Sequence, residues 1–272
     1  MKKTTYFFRN DDVRGSLDES LINLTNVFIK HGIPICHAVE PANVSDEVVT
    51  WLLEQKKQNP GIIEIVQHGY DHKLNFEGIV YGKLRKGEFG GERTFEDQLK
   101  DIEAGRKIMD DKFGDRWFKA FTFPFGARNK ASIKAIDNLN YQVVNGGVSN
   151  KFKNKAFYII GHLLRKEIIA GHKVSYHLKK KPGTRLFQID IALSVIKKYI
   201  NDKTDCIFYS FEELKSKTIA LQGIDTRGIL FHHRYHKSKE TIDLIDEYLT
   251  WLKTDSNNIF MSQEEIFQKY AG

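Results

Sequence analysis

The sequence predicts an α/β protein that folds as a single-domain (β/α) barrel. Short runs rich in β-branched and aromatic residues alternate along the chain with amphipathic segments of helical periodicity. Repeated βα units imply parallel strands covered by helices, which leaves a barrel or a doubly wound sheet. No G-x-G-x-x-G motif follows the first strand and no P-loop motif occurs, so the sequence favours the barrel. The length of 272 residues suits one closed domain of this kind, for which about 250 residues are common.

The amino-terminal half of the chain contains four predicted βα units and a fifth strand. Ser16 is predicted to cap the first helix, whose apolar residues recur at helical spacing, and Ser45 to cap the second. Thr94 opens the third helix in a capping-box pattern, and the fourth helix covers 130–139. The strands of this half are predicted at 4–8, 33–39, 62–66, 117–122 and 141–144. The segment 69–93 is polar, rich in glycine and too long for an ordinary βα connection, which favours a functional loop.

The carboxyl-terminal half of the chain is less regular. Residues 145–182 have the weakest pattern, with strand-like runs at 158–160 and 173–176. The alternation then resumes, and the predicted elements are a helix at 185–200, a strand at 206–209, a short helix after Ser210, a strand at 228–231 and a helix at 238–252. A second capping-box pattern, at 262–265, opens a terminal helix.

The composition excludes several classes of protein. A hydrophobic fraction of 41%, with 12% aromatic residues, is enough for a packed core, so the chain as a whole is not disordered. No run of about 18 uncharged apolar residues occurs, so no membrane span is expected. The amino terminus lacks the apolar stretch of a signal peptide, which predicts a cytoplasmic protein. Cys36 and Cys206 lie in apolar, strand-like runs and are predicted to be buried free thiols.

The formal net charge of +7 comes with lysines that are scattered along the chain. We interpret them as a solvated surface rather than as a binding site for nucleic acid or an anionic membrane.

Ionisable residues follow three of the predicted strands, at the strand ends that form the catalytic face of a barrel. They are Asp11 and Asp12, His68 and His72, and His232 and His233. Each pair also has a purely structural interpretation. Two adjacent aspartates, such as Asp11 and Asp12, often begin a turn. Among ten histidines a pair with the spacing of His68 and His72 can arise by chance, and His232 and His233 could lie on a solvated rim. Their joint occurrence at strand ends carries the prediction. Two histidines and one carboxylate form an open coordination set, as a hydrolytic metal centre requires.

Four short motifs contain these residues. They are Arg9-Asn10-Asp11-Asp12-Val13, His68-Gly69-Tyr70-Asp71-His72, Thr122-Phe123-Pro124-Phe125 and Leu230-Phe231-His232. In order, they resemble the first, second, third and fifth motifs of the polysaccharide deacetylases of carbohydrate esterase family 4, which read T-F-D-D-G, H-[ST]-x-x-H, R-x-P-[YF] and L-x-H. The resemblance covers residues 6 to about 252 and indicates a divergent bacterial branch of that family.

The resemblance implies a fold, an activity and a role for each residue. Residues 1–272 would form one catalytic barrel, distorted and seven-stranded. The implied metal ligands are Asp12, His68 and His72. Zinc is the expected metal, and cobalt, nickel or iron(II) also suit two histidines and a carboxylate. Asp11 would be the catalytic base, His232 the general acid, and the backbone N–H of Phe125 would stabilise the oxyanion.

The chain departs from the family pattern at two places. Position 122 is Thr, where the third motif has an arginine that supports the catalytic aspartate, and no fourth motif is found near 145–147. Arg9 precedes Asp11 by two residues, so the period of an extended strand places both side chains on one side. We hypothesise that Arg9 replaces the missing guanidinium and lowers the pKa of Asp11. The alternative is that Arg9 pairs with another carboxylate.

Two assignments near the site stay open. His233 could supply the acid in place of His232 if the strand register differs. Tyr70, Phe123 and Phe125 could pack against a sugar ring, although core packing is the favoured interpretation for Phe123.

The sequence therefore predicts a metal-dependent hydrolase that removes an N- or O-linked acetyl group from a carbohydrate. Two other functions stay open: a carbohydrate-binding relative that has lost turnover, which the departures favour, and a hydrolase of a small non-peptide C–N bond. The presence of both proton-transfer candidates, Asp11 and His232, opposes the first of these. A nucleic-acid-binding module rests on charge alone, and the sequence indicates no oligomeric state.

Overall fold

The computed structural model of the chain describes residues 3–80, 83–147, 152–165, 179–181, 183–200 and 204–271. Within these ranges the strands, in chain order, are β1 (Thr4–Gly15), β2 (Ile35–Val44), β3 (Ile63–His68), β4 (Phe76–Val80), β5 (Lys83–Gly87), β6 (Ala120–Thr122), β7 (Val143–Gly147), β8 (Lys179–Lys180), β9 (Phe187–Ser194), β10 (Ile196–Ile200), β11 (Asp205–Phe208), β12 (Thr226–Phe231) and β13 (Asn258–Phe260). The helices are α1 (Glu19–His31), α2 (Asp46–Gln58), α3 (Phe95–Phe113), α4 (Lys130–Asn138), α5 (Phe152–Leu163), α6 (Phe211–Ile219), α7 (Lys239–Lys253) and α8 (Gln263–Ala271). Short 3₁₀ turns follow β6 and β12, at Pro124–Gly126 and His233–Tyr235.

Seven parallel strands form a closed barrel with helices around it. The strand order is β1-β2-β3-β6-β7-β9-β12, and β12 pairs again with β1. Strand β13 adds to β1 in parallel and β8 adds to β9 in antiparallel. The hairpins β4–β5 and β10–β11 form separate two-stranded sheets. The predicted α/β barrel of seven strands is therefore confirmed.

Three helices begin where the sequence predicts a cap or a capping box, and a fourth begins after Ser210, as predicted, with Ser210 as its cap. Three of the caps accept a hydrogen bond from the backbone N–H three residues further on, and they are Ser45, Thr94 and Ser210. At the start of α8, Ser262 and Glu265 accept each other's backbone N–H groups and so form the expected capping box.

The first helix begins later than predicted. Asp18, and not Ser16, caps α1, because its side chain accepts a hydrogen bond from the N–H of Leu21 at 2.8 Å. The predicted cap at Ser16 is wrong because β1 continues to Gly15, well beyond its predicted end at residue 8.

Apolar side chains on the two faces of the strands form two cores. Along β1, Phe7 belongs to a cluster inside the barrel with Ala38 and Val66. Phe8, on the opposite face, packs against Phe28 of α1 and belongs to the larger cluster between barrel and helices. This alternation follows the two-residue period of a strand.

Helix α8 packs across the amino-terminal end of the barrel. The ring of Phe267 lies 5.9 Å from that of Phe118 and 5.2 Å from that of Phe187, two residues at the start of β6 and β9. The first two backbone N–H groups of α8 donate to the carboxylate of Glu64, near the start of β3. This end of the barrel is therefore closed by packing, and the carboxyl ends of the strands are available for a site.

The helix predicted at 185–200 is wrong, because this segment forms β9 and β10. Strand β9 pairs with β7 on one side and with β12 on the other, and it completes the barrel. Half of the apolar positions of the segment carry β-branched residues: Ile189, Ile191, Val195, Ile196 and Ile200. Such residues favour a pleated, buried strand, and pairing on both sides outweighs the helical spacing.

Three smaller differences separate the structure from the sequence prediction. The strand-like run at 158–160 lies inside α5, since three apolar residues are too few to distinguish a strand from a helix. The run at 173–176 lies outside the described residues. The long segment 69–93 contains the hairpin β4–β5, and β13 was not predicted.

The two cysteines are free thiols in different surroundings: Cys36 is buried in β2, as predicted, whereas Cys206 in β11 is half-buried. Among the described residues, no helix combines the length and the apolar run that crossing a lipid bilayer requires.

Candidate active site

A cavity of about 770 Å³ opens at the carboxyl ends of the barrel strands. Its wall contains every residue to which the sequence assigned a role: Asp11, Asp12, His68, His72, Phe125 and His232. These residues lie in β1 and β3 and in the turns that follow β3, β6 and β12. The structure therefore brings them together in one cavity.

A bulge in β1 lets two consecutive aspartates face this cavity. After Asn10 the register of β1 against β2 shifts, so that β1 has one residue more than β2 before pairing resumes at Val13. Asp12 adopts the left-handed backbone conformation, with φ of 63°. In a regular strand the side chains of neighbours point to opposite faces. The extra residue is what places both Asp11 and Asp12 in the cavity wall.

Asp12, His68 and His72 place three metal-ligand atoms side by side. Asp12 Oδ1 lies 3.3 Å from His68 Nε2 and 3.1 Å from His72 Nε2. One ligand atom from each residue lies within 4.8 Å of the other two. One carboxylate oxygen and two imidazole nitrogens form a donor set that suits zinc and similar divalent ions and leaves coordination positions open.

Thr122 contacts one of these candidate ligands. Its hydroxyl hydrogen-bonds to His68 Nδ1 and lies 3.4 Å from the carbonyl oxygen of Gln67. If the hydroxyl donates to that carbonyl, it accepts from Nδ1–H, and His68 Nε2 then carries the lone pair. Nε2 and Asp12 Oδ1 are then both acceptors, a pair that a cation satisfies. The residues present therefore fit a divalent metal, and the side chain at 122 orients a candidate ligand instead of the candidate base.

The local charges also favour a positive partner for Asp12. Burial by itself would raise the pKa of the Asp12 carboxyl, but in the absence of a cation His68 and His72 can each carry a proton on Nε2 and donate it to Asp12, and such hydrogen bonds hold this pKa well below its ordinary value. Burial likewise would lower the pKa of His68, but attraction by Asp11 and Asp12 raises it. A proton on a histidine or a bound cation supplies the positive charge that this carboxylate attracts.

Glu88 anchors the loop that carries His72. Its carboxylate accepts hydrogen bonds from the backbone N–H groups of Tyr70 at 2.7 Å and of Asp71 and His72 at 3.1 Å. Burial raises the pKa of the Glu88 carboxyl to about 7. The backbone of His72 is left-handed, with φ of 57°, a conformation that needs support from its surroundings. Three N–H groups bound to one buried carboxylate provide that support.

Gly69 allows this loop to approach the rest of the site. Its φ is 60°, and a Cβ built at this position would lie 2.4 Å from both the Glu88 carboxylate and the ring of Pro124. Only glycine fits this conformation and this space.

Arg9 pairs with Asp11, as hypothesised. Arg9 Nε and Nη2 donate to the two oxygens of Asp11, each at 2.7 Å, and both side chains are buried. Burial would raise the pKa of Asp11, but the nearby Arg9, His68 and His232 lower it, and the net effect is a pKa below the ordinary value. The geometric part of the hypothesis is confirmed, and its effect on catalysis stays a prediction.

The two adjacent histidines after β12 face different surroundings. His232 lines the cavity, and its Nδ1 lies 3.5 Å from the hydroxyl of Tyr199. His233 is 2% exposed, its backbone N–H donates to Asn10 Oδ1 at 2.7 Å, and its ring contacts the same amide. Burial lowers the pKa of His232, and that of His233 to about 4. Of the two, only His232 is placed to meet a ligand in the cavity.

The two phenylalanines of the third motif differ in how their side chains are packed. Phe125 has a left-handed backbone with φ of 59°, lines the cavity and places its ring 4.4 Å from that of His72. Phe123 also borders the cavity, but it is largely buried against Phe89 and Phe121, so core packing is confirmed for it. Tyr70 is half-buried against the core, and the cavity wall does not include it among the described residues.

Sequence reasoning missed three contributors to the site. Arg234 Nη2 lies 3.1 Å from Asp12 Oδ2, and its position two residues after His232 was a usable signal. Tyr199 lies in the segment predicted as a helix, and Glu88 lies in the long loop, so the pattern placed neither of them.

Comparisons with known proteins identify the fold. No family model matches the chain, and no curated protein matches it. Solved structures do match: the Xyl-CE4 domain of a multidomain xylanase from the hindgut metagenome of Trinervitermes trinervoides is 13% identical, with a TM-score of 0.59, over 99% of this chain and 92% of that one.

Two further structures agree with this match. A family 4 acetyl xylan esterase from Clostridium thermocellum, in complex with cobalt, is 13% identical, with a TM-score of 0.58, over 97% of this chain and 91% of that one. The peptidoglycan deacetylase PdaC from Bacillus subtilis is 14% identical, with a TM-score of 0.55, over 99% and 93% of the two chains. The chain therefore has the barrel fold of the carbohydrate esterase family 4 deacetylases.

Proposed function

We propose that the chain is a metal-dependent hydrolase that removes acetyl groups, N- or O-linked, from a carbohydrate. The observation that carries the proposal is the meeting of three metal-ligand candidates, one ionised aspartate and one histidine in a single cavity. The named structural neighbours, an acetyl xylan esterase and a peptidoglycan deacetylase, support the same class of reaction.

Asp12, His68 and His72 are the residues that would hold the metal, with zinc expected and cobalt, nickel or iron(II) also suited to the donor set. A divalent cation bound there supplies Lewis acidity toward an acyl carbonyl and lowers the pKa of water.

Asp11 is the base in this proposal. Arg9 keeps its carboxylate ionised, and each carboxylate oxygen retains a lone pair beyond the one that accepts from Arg9. Asp11 therefore can take the proton of the attacking water while its own position stays fixed by two hydrogen bonds. The bidentate pair thus sets both the charge and the orientation of the base.

His232 is the acid, and Phe125 supports the developing negative charge. His232 lies in the cavity wall and would donate a proton to the leaving amine nitrogen or alkoxide oxygen. The backbone N–H of Phe125 would donate to the oxyanion of the tetrahedral intermediate. Phe125 lies in the 3₁₀ turn Pro124–Gly126, and its left-handed backbone is a strained conformation that this turn holds in place.

The direct test is acetate release from two acetylated substrates, N-acetylglucosamine oligomers and acetylated xylan oligomers. Release is expected from protein loaded with one equivalent of zinc and is expected to cease after chelation. Asp11→Asn should bind zinc as the wild type does and release acetate about 10²–10⁴ times more slowly. Acetate release that survives chelation, or an Asp11→Asn protein with full activity, would contradict the proposal.

One observation favours a second candidate, a carbohydrate-binding relative without turnover. In the described structure the polar contact of His232 is the Tyr199 hydroxyl at 3.5 Å, and not a carboxylate that would stabilise the protonated ring. Binding of either oligomer without any acetate release by the zinc-loaded protein would support this candidate over the hydrolase.

A further inference from the structure

Four arginines line the cavity, against two carboxylates. They are Arg9, Arg14, Arg128 and Arg234, and the acidic residues in the same wall are Asp11 and Asp12. Arg9 is matched to Asp11 through two of its nitrogens. Positive charge therefore predominates in the part of the wall that remains for a ligand, before any metal is counted.

Arg14 keeps one edge of its guanidinium open. Its Nη1 donates to both oxygens of Glu40, at 2.9 and 3.2 Å, and Glu40 is fully buried behind it. Its Nε and Nη2 have no hydrogen-bond partner among the residues that the structure describes. These two N–H groups form the planar fork that binds a carboxylate or a phosphate through two parallel hydrogen bonds. The Arg14 side chain is 35% exposed, so a ligand can reach it.

Arg234 has a buried donor without an acceptor. Its Nη2 contacts Asp12 Oδ2 at 3.1 Å and donates to the Tyr235 hydroxyl at 2.9 Å. Its Nε is buried and makes no hydrogen bond within the described ranges. A buried donor on a charged group is costly to leave unpaired. The Arg234 side chain as a whole is 29% exposed and lines the cavity, so an acceptor on a ligand can approach the guanidinium.

Both arginines lie beside Asp12. Arg234 contacts Asp12 directly, and Arg14, two residues after Asp12 along β1, lines the same cavity wall. A ligand group between them would lie close to the candidate metal ligands, within the space of the same cavity.

The plain alternative is that these arginines only neutralise buried carboxylates. Arg9 shows what that role looks like here, because it meets Asp11 with two nitrogens at 2.7 Å. Arg9 leaves only Nη1 without a partner within the described residues, whereas Arg14 and Arg234 each meet their carboxylate with a single nitrogen, and Arg14 keeps its Nε and Nη2 together as an open fork. The difference favours a ligand role for Arg14 and Arg234.

We propose that the cavity takes an acidic sugar, an acetylated carbohydrate that bears a carboxylate or a phosphate, and that Arg14 and Arg234 bind this oxyanion. The acetyl group in this statement rests on the proposed function, whereas the oxyanion site does not. Carboxylate and phosphate share the chemistry that an arginine fork recognises, so the experiment includes both sources.

The test is equilibrium binding to chelated, metal-free protein, measured by calorimetry. Two matched pairs of ligands serve as probes. One pair is an oligomer of N-acetylglucosamine and an oligomer of equal length that alternates N-acetylglucosamine with glucuronate. The other pair is N-acetylglucosamine and its 6-phosphate. We expect at least one acidic member to bind about tenfold tighter than its neutral partner, with a preference that falls as salt is raised to about 0.5 M.

Variants assign the preference to the two arginines. Arg14→Met combined with Glu40→Gln removes the cation without leaving a buried charge, and Arg234→Met removes the second cation. Each should reduce the tenfold preference to about twofold or less, while Arg14→Lys should retain part of it, since a lysine keeps the charge and loses the fork. Arg116→Met, at an exposed arginine outside the cavity wall, is the control and should leave the preference unchanged. Thermal melting confirms that each variant is folded.

The outcomes separate this proposal from the proposed function. An acidic preference that depends on Arg14 and Arg234 supports the oxyanion site even if no acetate is released. Equal binding of acidic and neutral probes, or a preference that survives both arginine variants, overturns the oxyanion site even if the chain proves to be a deacetylase. The probe pair that shows the preference identifies carboxylate or phosphate as its source.

Discussion

The residues proposed to hold the metal and the residue proposed to donate a proton are supported in different ways. We call the first group, Asp12, His68 and His72, the ligand wall, and the part of the cavity around His232 the acid wall. On the ligand wall, each residue is held by a neighbour, and these neighbours are Arg234, Thr122 and Glu88. On the acid wall, His232 has the hydroxyl of Tyr199 at 3.5 Å, and burial lowers the pKa of its ring.

Backbone strain lies on the ligand wall as well. Asp12, His72 and the adjacent Phe125 all have positive φ, although none is a glycine. Such conformations persist where the surrounding contacts determine them, and they are common at functional sites. The comparison indicates that hydrogen bonds and backbone strain fix the geometry of the proposed metal ligands. The proposed acid, His232, is not held in this way, and burial mainly changes the pKa of its ring. Substitutions on the ligand wall should therefore change metal affinity, and substitutions on the acid wall should change the rate.

Removing a ligand should have the largest effect, because it eliminates a metal bond directly. In His68→Ala and His72→Ala, metal content should fall from about one ion per chain to near zero, as measured by elemental analysis of folded protein. His31→Ala is a matched control, since His31 pairs with Asp246 away from the cavity wall. Full metal content in either cavity variant would show that the ligand wall is not a metal site.

Exchanging the two histidines after β12 tests the acid wall. His232→Ala should keep its metal and lose about 10²–10⁴ in kcat, the usual contribution of a general acid. His233→Ala should keep most of the rate and lose about 1–3 kcal/mol of stability, because a buried ring and its contacts with the Asn10 amide are removed, while the backbone N–H of residue 233 and the His37 ring still meet that amide. Kinetics and thermal melting measure the two effects. An inactive His233→Ala protein beside an active His232→Ala protein would reverse the assignment.

Weakening the anchor of His72 should have an intermediate effect. Glu88→Gln keeps the size of the side chain but leaves one oxygen to accept three N–H groups, so the loop should loosen. We expect metal affinity to fall about 10–100-fold, while kcat at saturating metal changes little. Glu92→Gln, an exposed glutamate nearby, serves as the control in the metal titration. An unchanged metal affinity in Glu88→Gln would mean that the ligand wall does not depend on its support.

Removing the Arg9 cation beside Asp11 should shift the pH dependence of the rate. The rate at neutral pH should change less than in the variants above. Arg9 lowers the pKa of Asp11, so in Arg9→Met the pKa of Asp11 should rise and the base should become protonated at higher pH. The acid limb of the pH–rate profile should therefore move upward, by about one to three units, while metal content stays the same. An unmoved acid limb would mean that Arg9 has only a structural role.

The sequence predicted the barrel and the principal residues of the site for one physical reason. Asp11 and Asp12 follow the residues of β1 that pair with β12, His68 ends β3, and His232 follows β12. The parallel strands of a barrel all end at the same face, so these residues meet there. The two-residue period of a strand also predicted that Arg9 lies beside Asp11, as the structure shows.

What the sequence did not predict depends on tertiary contacts. The β1 bulge that turns Asp12 into the cavity requires the register against β2, which no local pattern contains. Glu88 reaches the His72 loop from a hairpin inside a segment without periodicity. Tyr199 lies in a segment whose apolar spacing resembles a helix. The first part of that segment, β9, pairs with the distant β7 and β12, and the second part, β10, which carries Tyr199, forms a hairpin with β11. The local sequence pattern therefore predicted where the candidate site residues lie, and tertiary contacts determine how those residues are supported.

Anomalous diffraction from a zinc-loaded crystal, recorded at the zinc absorption edge, is the most direct test of the metal centre on which this account depends. The account predicts one strong peak in the cavity, about 2.0–2.2 Å from Asp12 Oδ1 and from the Nε2 atoms of His68 and His72. A cavity without a peak at these three atoms, in a crystal where both histidines are ordered and zinc is bound elsewhere, would contradict it.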